Sequence, residues 1–226
     1  TDHGLPPKSN VSTAIPLRDA VVRGRSRALP FHRQSGTDTS HRQPPPAAVF
    51  YMDFAGPLLP SFPHRFTSYC GVVDAGSGFG RAFPAHSLCS AVASASLSLF
   101  ISNVAAVMGM SSDFKPQVVR SDQGPAFVSR HFREFLSARQ IQLSLACTYT
   151  PQQNSHIERF WGVVMSTARV LLAAANLPPT YHPFAVQTSV YIHNRLPRPA
   201  RGDASPWYLL SRSPPSLANL YCFGCL

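Results

Sequence analysis

From Ala48 onward the apolar residues keep changing their spacing, and the order of those changes leaves few architectures open. Ala48-Val49-Phe50-Tyr51-Met52-Asp53-Phe54 is an apolar, aromatic run stopped by Gly56-Pro57, as a buried strand with a polar residue near its end would be. Tyr69 to Asp74 and Phe79 to Phe83 flank the turn Ala75-Gly76-Ser77-Gly78, which predicts a hairpin. A long helix is expected from about Ser87 to Met108, with Leu88, Val92, Ala95 and Leu99 on one face and Gly109 at its end. Gln117 to Asp122 reads as a fourth strand, Ser129 to Arg139 as a helix with Phe132, Phe135 and Leu136 inward, and Ile141 to Leu145 as a fifth strand. The clearest period follows: Ile157, Phe160, Trp161, Val164, Met165, Ala168, Leu171, Leu172 and Ala175 draw one apolar stripe along a helix, and Phe184 to Arg195 predicts another. Three strands, then helix, strand, helix, strand, helix is the order of a mixed α/β domain.

The first 47 residues are different in kind. They are rich in Pro, Ser, Thr, Arg and His, show no alternating apolar pattern and end in Gln43-Pro44-Pro45-Pro46, so a basic, disordered N-terminal arm is expected there. Basic groups exceed acidic ones by +10, almost all of it arginine, because Lys8 and Lys115 are the only lysines. Such a surface favours polyanions, nucleic acid first among them, although a coding bias toward arginine would leave the same imbalance. Five scattered cysteines form no disulfide pattern and predict a reducing compartment. The segment Ala82 to Ser112 lacks Asp, Glu, Lys and Arg, but serines, His86 and Asn103 interrupt it, so it reads as a buried helix and not a membrane span.

Only ten residues are acidic, and three of them stand where an element begins or ends. Asp53 and Asp122 close predicted strands, and Glu158 opens the helix with the long apolar stripe; thirty-five residues separate the last two. Alone, each has an ordinary explanation: a strand-end Asp forms turns, and a Glu at a helix start meets the helix dipole. Together they suit phosphodiester transfer, which needs a nucleophilic oxygen near neutral pH and charge relief on the leaving oxygen; two divalent cations supply both. Hard ions such as Mg²⁺ keep several waters, so a few convergent carboxylates suffice.

Tyr51-Met52-Asp53-Phe54-Ala55-Gly56-Pro57, Val119-Arg120-Ser121-Asp122-Gln123-Gly124 and Tyr149-Thr150-Pro151-Gln152-Gln153-Asn154 through Glu158-Arg159 resemble the three acid blocks of the integrase catalytic core of copia-type long-terminal-repeat retrotransposons, within the retroviral integrase superfamily. Tyr191-Ile192-His193-Asn194-Arg195-Leu196-Pro197, Ser205-Pro206-Trp207 and Phe223-Gly224-Cys225 are similar to the run that follows that core. The resemblance implies an RNase H-like fold: a five-stranded mixed sheet flanked by helices, with the core over 48–176, a helical C-terminal extension over 177–226, and the arm 1–47 as the remnant of a lost zinc module. The cysteines expected of that module fall on Arg18 and Val21, so no zinc is expected.

What the resemblance implies about function is equally specific. Asp53, Asp122 and Glu158 would bind two Mg²⁺ or Mn²⁺ ions and catalyse the joining of element DNA ends to host DNA. Gln152, Asn154, Arg159, Arg120 and Arg169 would contact DNA, with plain capping the alternative for Asn154 and pairing with a neighbouring acid the alternative for Arg120. A homo-oligomer acting in the nucleus, with no membrane partner, belongs to the same expectation. The family's second glycine and glutamate after the second acid are Pro125 and Ala126 here, and a glycine after the Pro-Gln-Gln-Asn run is Ser155. Those departures keep open a decayed or domesticated copy that only binds nucleic acid.

Overall fold

The computed structural model describes residues 43–146, 154–199 and 202–225. It contains the expected five-stranded mixed sheet: β1 (Val49–Ala55), β2 (Ser68–Asp74), β3 (Gly80–Ala85), β4 (Val118–Ser121) and β5 (Gln142–Leu145), in the order β3-β2-β1-β4-β5. The three strands of the meander pair antiparallel, and β4 and β5 join β1 in parallel. Parallel neighbours need crossovers, which are supplied by α1 (Ser90–Met108) between β3 and β4, and by α2 (Pro125–Val128) and α3 (Arg130–Ala138) between β4 and β5. The chain continues through α4 (Ser155–Ala174), a 3₁₀ turn (Pro179–Tyr181), α5 (His182–Arg195) and α6 (Pro206–Ser211).

Period-2 alternation along β1 builds two cores. Phe50 and Met52 face one way, with Cys70, Val72, Leu97, Phe100, Phe132 and Leu136, under α1 to α3. Tyr51 faces the other way, with Tyr69, Val73, Ile157, Trp161, Val164 and residues of α5. The sheet is therefore the middle of three layers, and its acid-bearing face lies under α4.

The predicted face of α1 is wrong by a rotation. Leu88 and Leu99 are half exposed, whereas Ala93, Leu97, Phe100 and Val104 are fully buried against the sheet. The segment is uncharged, with small Ala and Ser residues all round, so periodicity selects no face, and the bulky Phe100, packed edge-on to Phe50 with ring centroids 4.8 Å apart, settles it. By length and composition α1 could span a bilayer, but here it carries one core of the domain.

Residues 1–42 of the expected arm lie outside the described residues. Its last residues are packed: the Ala47 amide donates to Asp74 Oδ1 at 2.9 Å, and a side chain on Gly76 would strike the backbone of Pro45 and Pro46. Asp74 also accepts from the Ser77 amide (2.8 Å) and hydroxyl (2.5 Å), so one buried carboxylate ties the chain entry to the β2–β3 turn.

The C-terminal segment is fastened by side chains of α5. Asn194 Oδ1 accepts from the Gly80 amide (2.9 Å) and its Nδ2 donates to the Gly80 carbonyl (2.8 Å), completing both backbone groups at the start of β3. Arg195 stacks its guanidinium 3.5 Å from the Tyr191 ring centroid and 4.8 Å from that of Trp207, joining α5 to α6. The motifs after the core thus serve as its second-layer clamp.

Candidate active site

The parallel register of β1 with β4 places the first two acids. Val49, Phe50 and Tyr51 lie opposite Val118, Val119 and Arg120. Carried on two residues, the same offset sets Asp122 abreast of Asp53 on strands about 4.8 Å apart. Tyr51 and Arg120, two residues earlier, share a face, since Arg120 donates to the Tyr51 hydroxyl at 3.0 Å. Asp53 and Asp122 therefore belong to that same face, beneath α4.

Helix α4 brings the third acid. His156 stacks on Tyr51 (ring centroids 5.0 Å apart), which fixes the first turn of the helix over β1. Further along, Trp161 sits where a side chain on Gly71 would be, and Gly71 is the antiparallel partner of Asp53; Phe160 fills the equivalent notch at Gly80. Two glycine notches and one aromatic stack thus set the height and rotation of α4. Glu158, exposed in its first turn, is held near enough for its charge to act on Asp53.

Electrostatics follows from that crowding. Burial first, then the charge of Asp122, with a smaller push from Glu158, raises the Asp53 carboxyl to about 7 against the opposing hydrogen bond from the Phe54 amide. Asp53 Oδ1 accepts that bond at 2.8 Å, and Asp122 Oδ1 accepts from the Gly124 amide at 3.0 Å. One oxygen of each carboxylate is thereby oriented by main chain. Among the described residues no group of three His, Cys, Asp or Glu side chains lies close enough together to hold a metal ion as placed. Mg²⁺ is nonetheless commonly held by one or two carboxylates plus waters, so the donor set suits a hard divalent ion.

The unusual residues after Asp122 fit without disturbing it. Pro125 occupies the first position of α2, where its fixed φ and missing N–H cost nothing, and Ala126 is buried. Gly124, the residue before it, keeps the amide that holds Asp122, and a side chain there would crowd Asp122 Oδ1.

The expected DNA contacts do not form one group. Arg120 and Arg159 are exposed near the start of α4, and the hydrogen-bond partner of Arg120 is the Tyr51 hydroxyl, not an acid. Arg169, also exposed, lies eleven residues beyond Glu158, about 16 Å along the helix axis. Asn154 occupies the N-cap position of α4, yet its side chain makes no capping bond and its Oδ1 is buried with no hydrogen-bond partner. Gln152 lies outside the described residues. Sequence reasoning passed over Tyr51, His156 and Trp161 as site-builders; the signal available was that Tyr51 stands two residues before Asp53 and so shares its face.

The layer order describes an RNase H-like fold. Structural neighbours are of that kind: the HTLV-2 integrase catalytic core domain in complex with magnesium has a TM-score of 0.54 at 22% identity, covering 75% of this chain and 99% of that one. A chain of the simian T-cell lymphotropic virus intasome in complex with PP2A regulatory subunit B56 gamma gives a TM-score of 0.60 at 20% identity over 78% of this chain and 61% of that one. The integrase core domain family model matches residues 44–151, a stretch that includes Asp53 and Asp122 and stops short of Glu158.

Over that stretch the sequence is similar to the integrase core domain and to retrotransposon and foamy-virus polyproteins. The Retrovirus-related Pol polyprotein from transposon RE2 of Arabidopsis thaliana is 36% identical over 105 residues, 46% of this chain. The corresponding polyprotein from transposon TNT 1-94 of Nicotiana tabacum is 33% identical over 107 residues, 47% of the chain, and the Pro-Pol polyprotein of feline foamy virus 34% over 114, or 50%. The match spans only 7%, 8% and 9% of those polyproteins.

Proposed function

We propose that this chain is the catalytic part of an integrase that joins the 3′ ends of retrotransposon DNA to target DNA in the nucleus. The observation that supports the reading is the electrostatic coupling of three acids from three elements: strand register sets Asp122 abreast of Asp53, and the charge of Glu158 in the first turn of α4 also acts on Asp53. The match of residues 44–151 to the integrase core domain and the excess of basic residues support it.

Asp53 and Asp122 would hold two divalent cations between them, with Glu158 completing one shell. When bound, such ions stabilise charge on the attacking and leaving oxygens and lower the pKa of a coordinated hydroxyl. The protein's own contribution is preorganisation: the Phe54 and Gly124 amides fix one oxygen of each aspartate, so the remaining oxygens are aimed without further loss of freedom. Glu158, exposed in the first turn of α4, would close toward the pair and orient the attacking hydroxyl. Arg120 and Arg159, both exposed, would supply guanidinium forks to flanking phosphates.

The test is strand joining. With Mn²⁺ and a short duplex, the purified chain gives joined products that Asp122→Asn abolishes. Products of hydrolysis alone would make it a nuclease, and salt-sensitive duplex binding with no chemistry would make it a nucleic-acid-binding relic.

A further inference from the structure

Across α4 from Glu158 lies a second constellation of basic groups. At 3.6 residues per turn, His156 and Phe160 point opposite to Glu158, with Arg159 between. His156 and Arg159 line a cavity of about 60 Å³ whose far wall is His193 and Arg198, with Gly78 of the β2–β3 turn at one end. That is several times the space one water needs, and no acidic residue among those described lines it.

The hydrogen bonds show why Arg198 is there. His193 Nε2 faces the Gly78 carbonyl at 3.0 Å, and a carbonyl can only accept, so Nε2 carries the proton. Nδ1 is then an acceptor, and it takes a bond from the Arg198 guanidinium at 2.6 Å. A buried histidine thus orients the arginine through its accepting nitrogen. Edge contact with Phe160 (centroids 4.9 Å apart) fixes the imidazole, and Arg198 is anchored through its backbone to Ala204 and Asp203. Two guanidinium groups from separate elements therefore border one small, acid-free cavity.

We propose that Arg159 and Arg198 form a single phosphodiester subsite, oriented by His193 and flanked by His156, that grips the DNA backbone about one helix diameter from the acids, roughly 10 Å. This rests on the functional reading above and extends it to residues beyond the matched core. The strand crossing α4 is pinned on one side of the helix while the acids work on the other.

Fluorescence anisotropy of the full chain with a labelled duplex, across a salt series in EDTA, tests it. Each phosphate contact contributes about 0.9 to the slope of log affinity against log salt, or about eightfold in affinity at 0.1 M salt. Arg198→Gln and Arg159→Gln are each expected to lower the slope by up to about 0.9, and the double variant by about 0.9 in all, since both act on one phosphate. Arg130→Gln, which removes the same charge from an exposed helix position, leaves the slope unchanged. Arg159 is exposed, so its variant reports even if Arg198→Gln unfolds the chain. Losses no greater than for Arg130→Gln overturn the subsite and leave duplex binding standing; additive losses of about 1.8 mean two separate contacts and overturn the shared phosphate. Inorganic phosphate that displaces the duplex beyond matched chloride, and only when Arg198 is present, would assign the cavity to a small phosphate ligand instead. Absence of duplex binding by the unsubstituted chain would overturn the functional reading and the subsite together.

Discussion

Replacing Asp53 by Asn should make the metal-free protein more stable while ending its response to metal. The sign follows from the raised carboxyl. In the unfolded chain Asp53 titrates near 3.8, and in the folded chain at about 7. Between those values the folded state holds a proton that the unfolded state has lost, so stability falls as pH rises through that window, and the whole penalty is present above it. At about 1.36 kcal/mol per pH unit, the rise from 3.8 to about 7 sets a ceiling of about 4 kcal/mol, which solvent screening at a partly exposed carboxylate reduces to about half. A gain of about 2 kcal/mol corresponds to a rise in melting temperature of roughly 4–8 °C for a domain of this size. Thermal unfolding in EDTA at pH 5 and pH 8 measures it: the unsubstituted chain loses stability between the two, and Asp53→Asn loses less and melts higher at pH 8. Magnesium should stabilise the unsubstituted chain more at pH 8 than at pH 5 and leave the variant unmoved. A variant less stable than the parent at pH 8, or one with the same pH dependence, would refute the crowding of acids around Asp53.

Asp74 is raised by burial as well, but donors from Ala47 and Ser77 meet both of its oxygens. Asp74→Asn presents one accepting oxygen where the native group accepts at both, so either Ala47 or Ser77 faces an N–H; a loss of about 2 kcal/mol is expected by urea unfolding at pH 7, and a loss under about 0.5 kcal/mol would contradict the clamp. Gly71→Ala drives a methyl into the Trp161 ring and should cost about 1–3 kcal/mol and lower joining activity by moving Glu158, with Gly71→Ala/Trp161→Phe recovering part of both. Full activity in Gly71→Ala would show that the height of α4 does not matter.

The sheet and the order of its elements were legible because strand-length runs and a long helical stripe differ in period, and the register arithmetic of β1 and β4 does the rest. The rotation of α1 was not, since Ala and Ser around an uncharged helix weaken any moment, leaving Phe100 to choose the face. The three acids could be picked from their places at element ends. Their unequal standing could not: Asp53 and Asp122 are fixed by backbone pairing, whereas Glu158 depends on Trp161 meeting Gly71, ninety residues away in sequence. His193 and Asn194 likewise resembled a family motif without declaring a task. Their partners, Gly78 and Gly80, lie more than a hundred residues earlier and offer only main-chain atoms, which leave no mark in a sequence.

Crystals of the protein soaked in Mn²⁺ and measured at the manganese absorption edge test the account most directly. Anomalous density between Asp53 and Asp122, with carboxylate oxygens at about 2.0–2.2 Å and Glu158 drawn in to complete a shell, is the expected result. Manganese bound elsewhere, with the three carboxylates left as they stand in the metal-free chain, would contradict it.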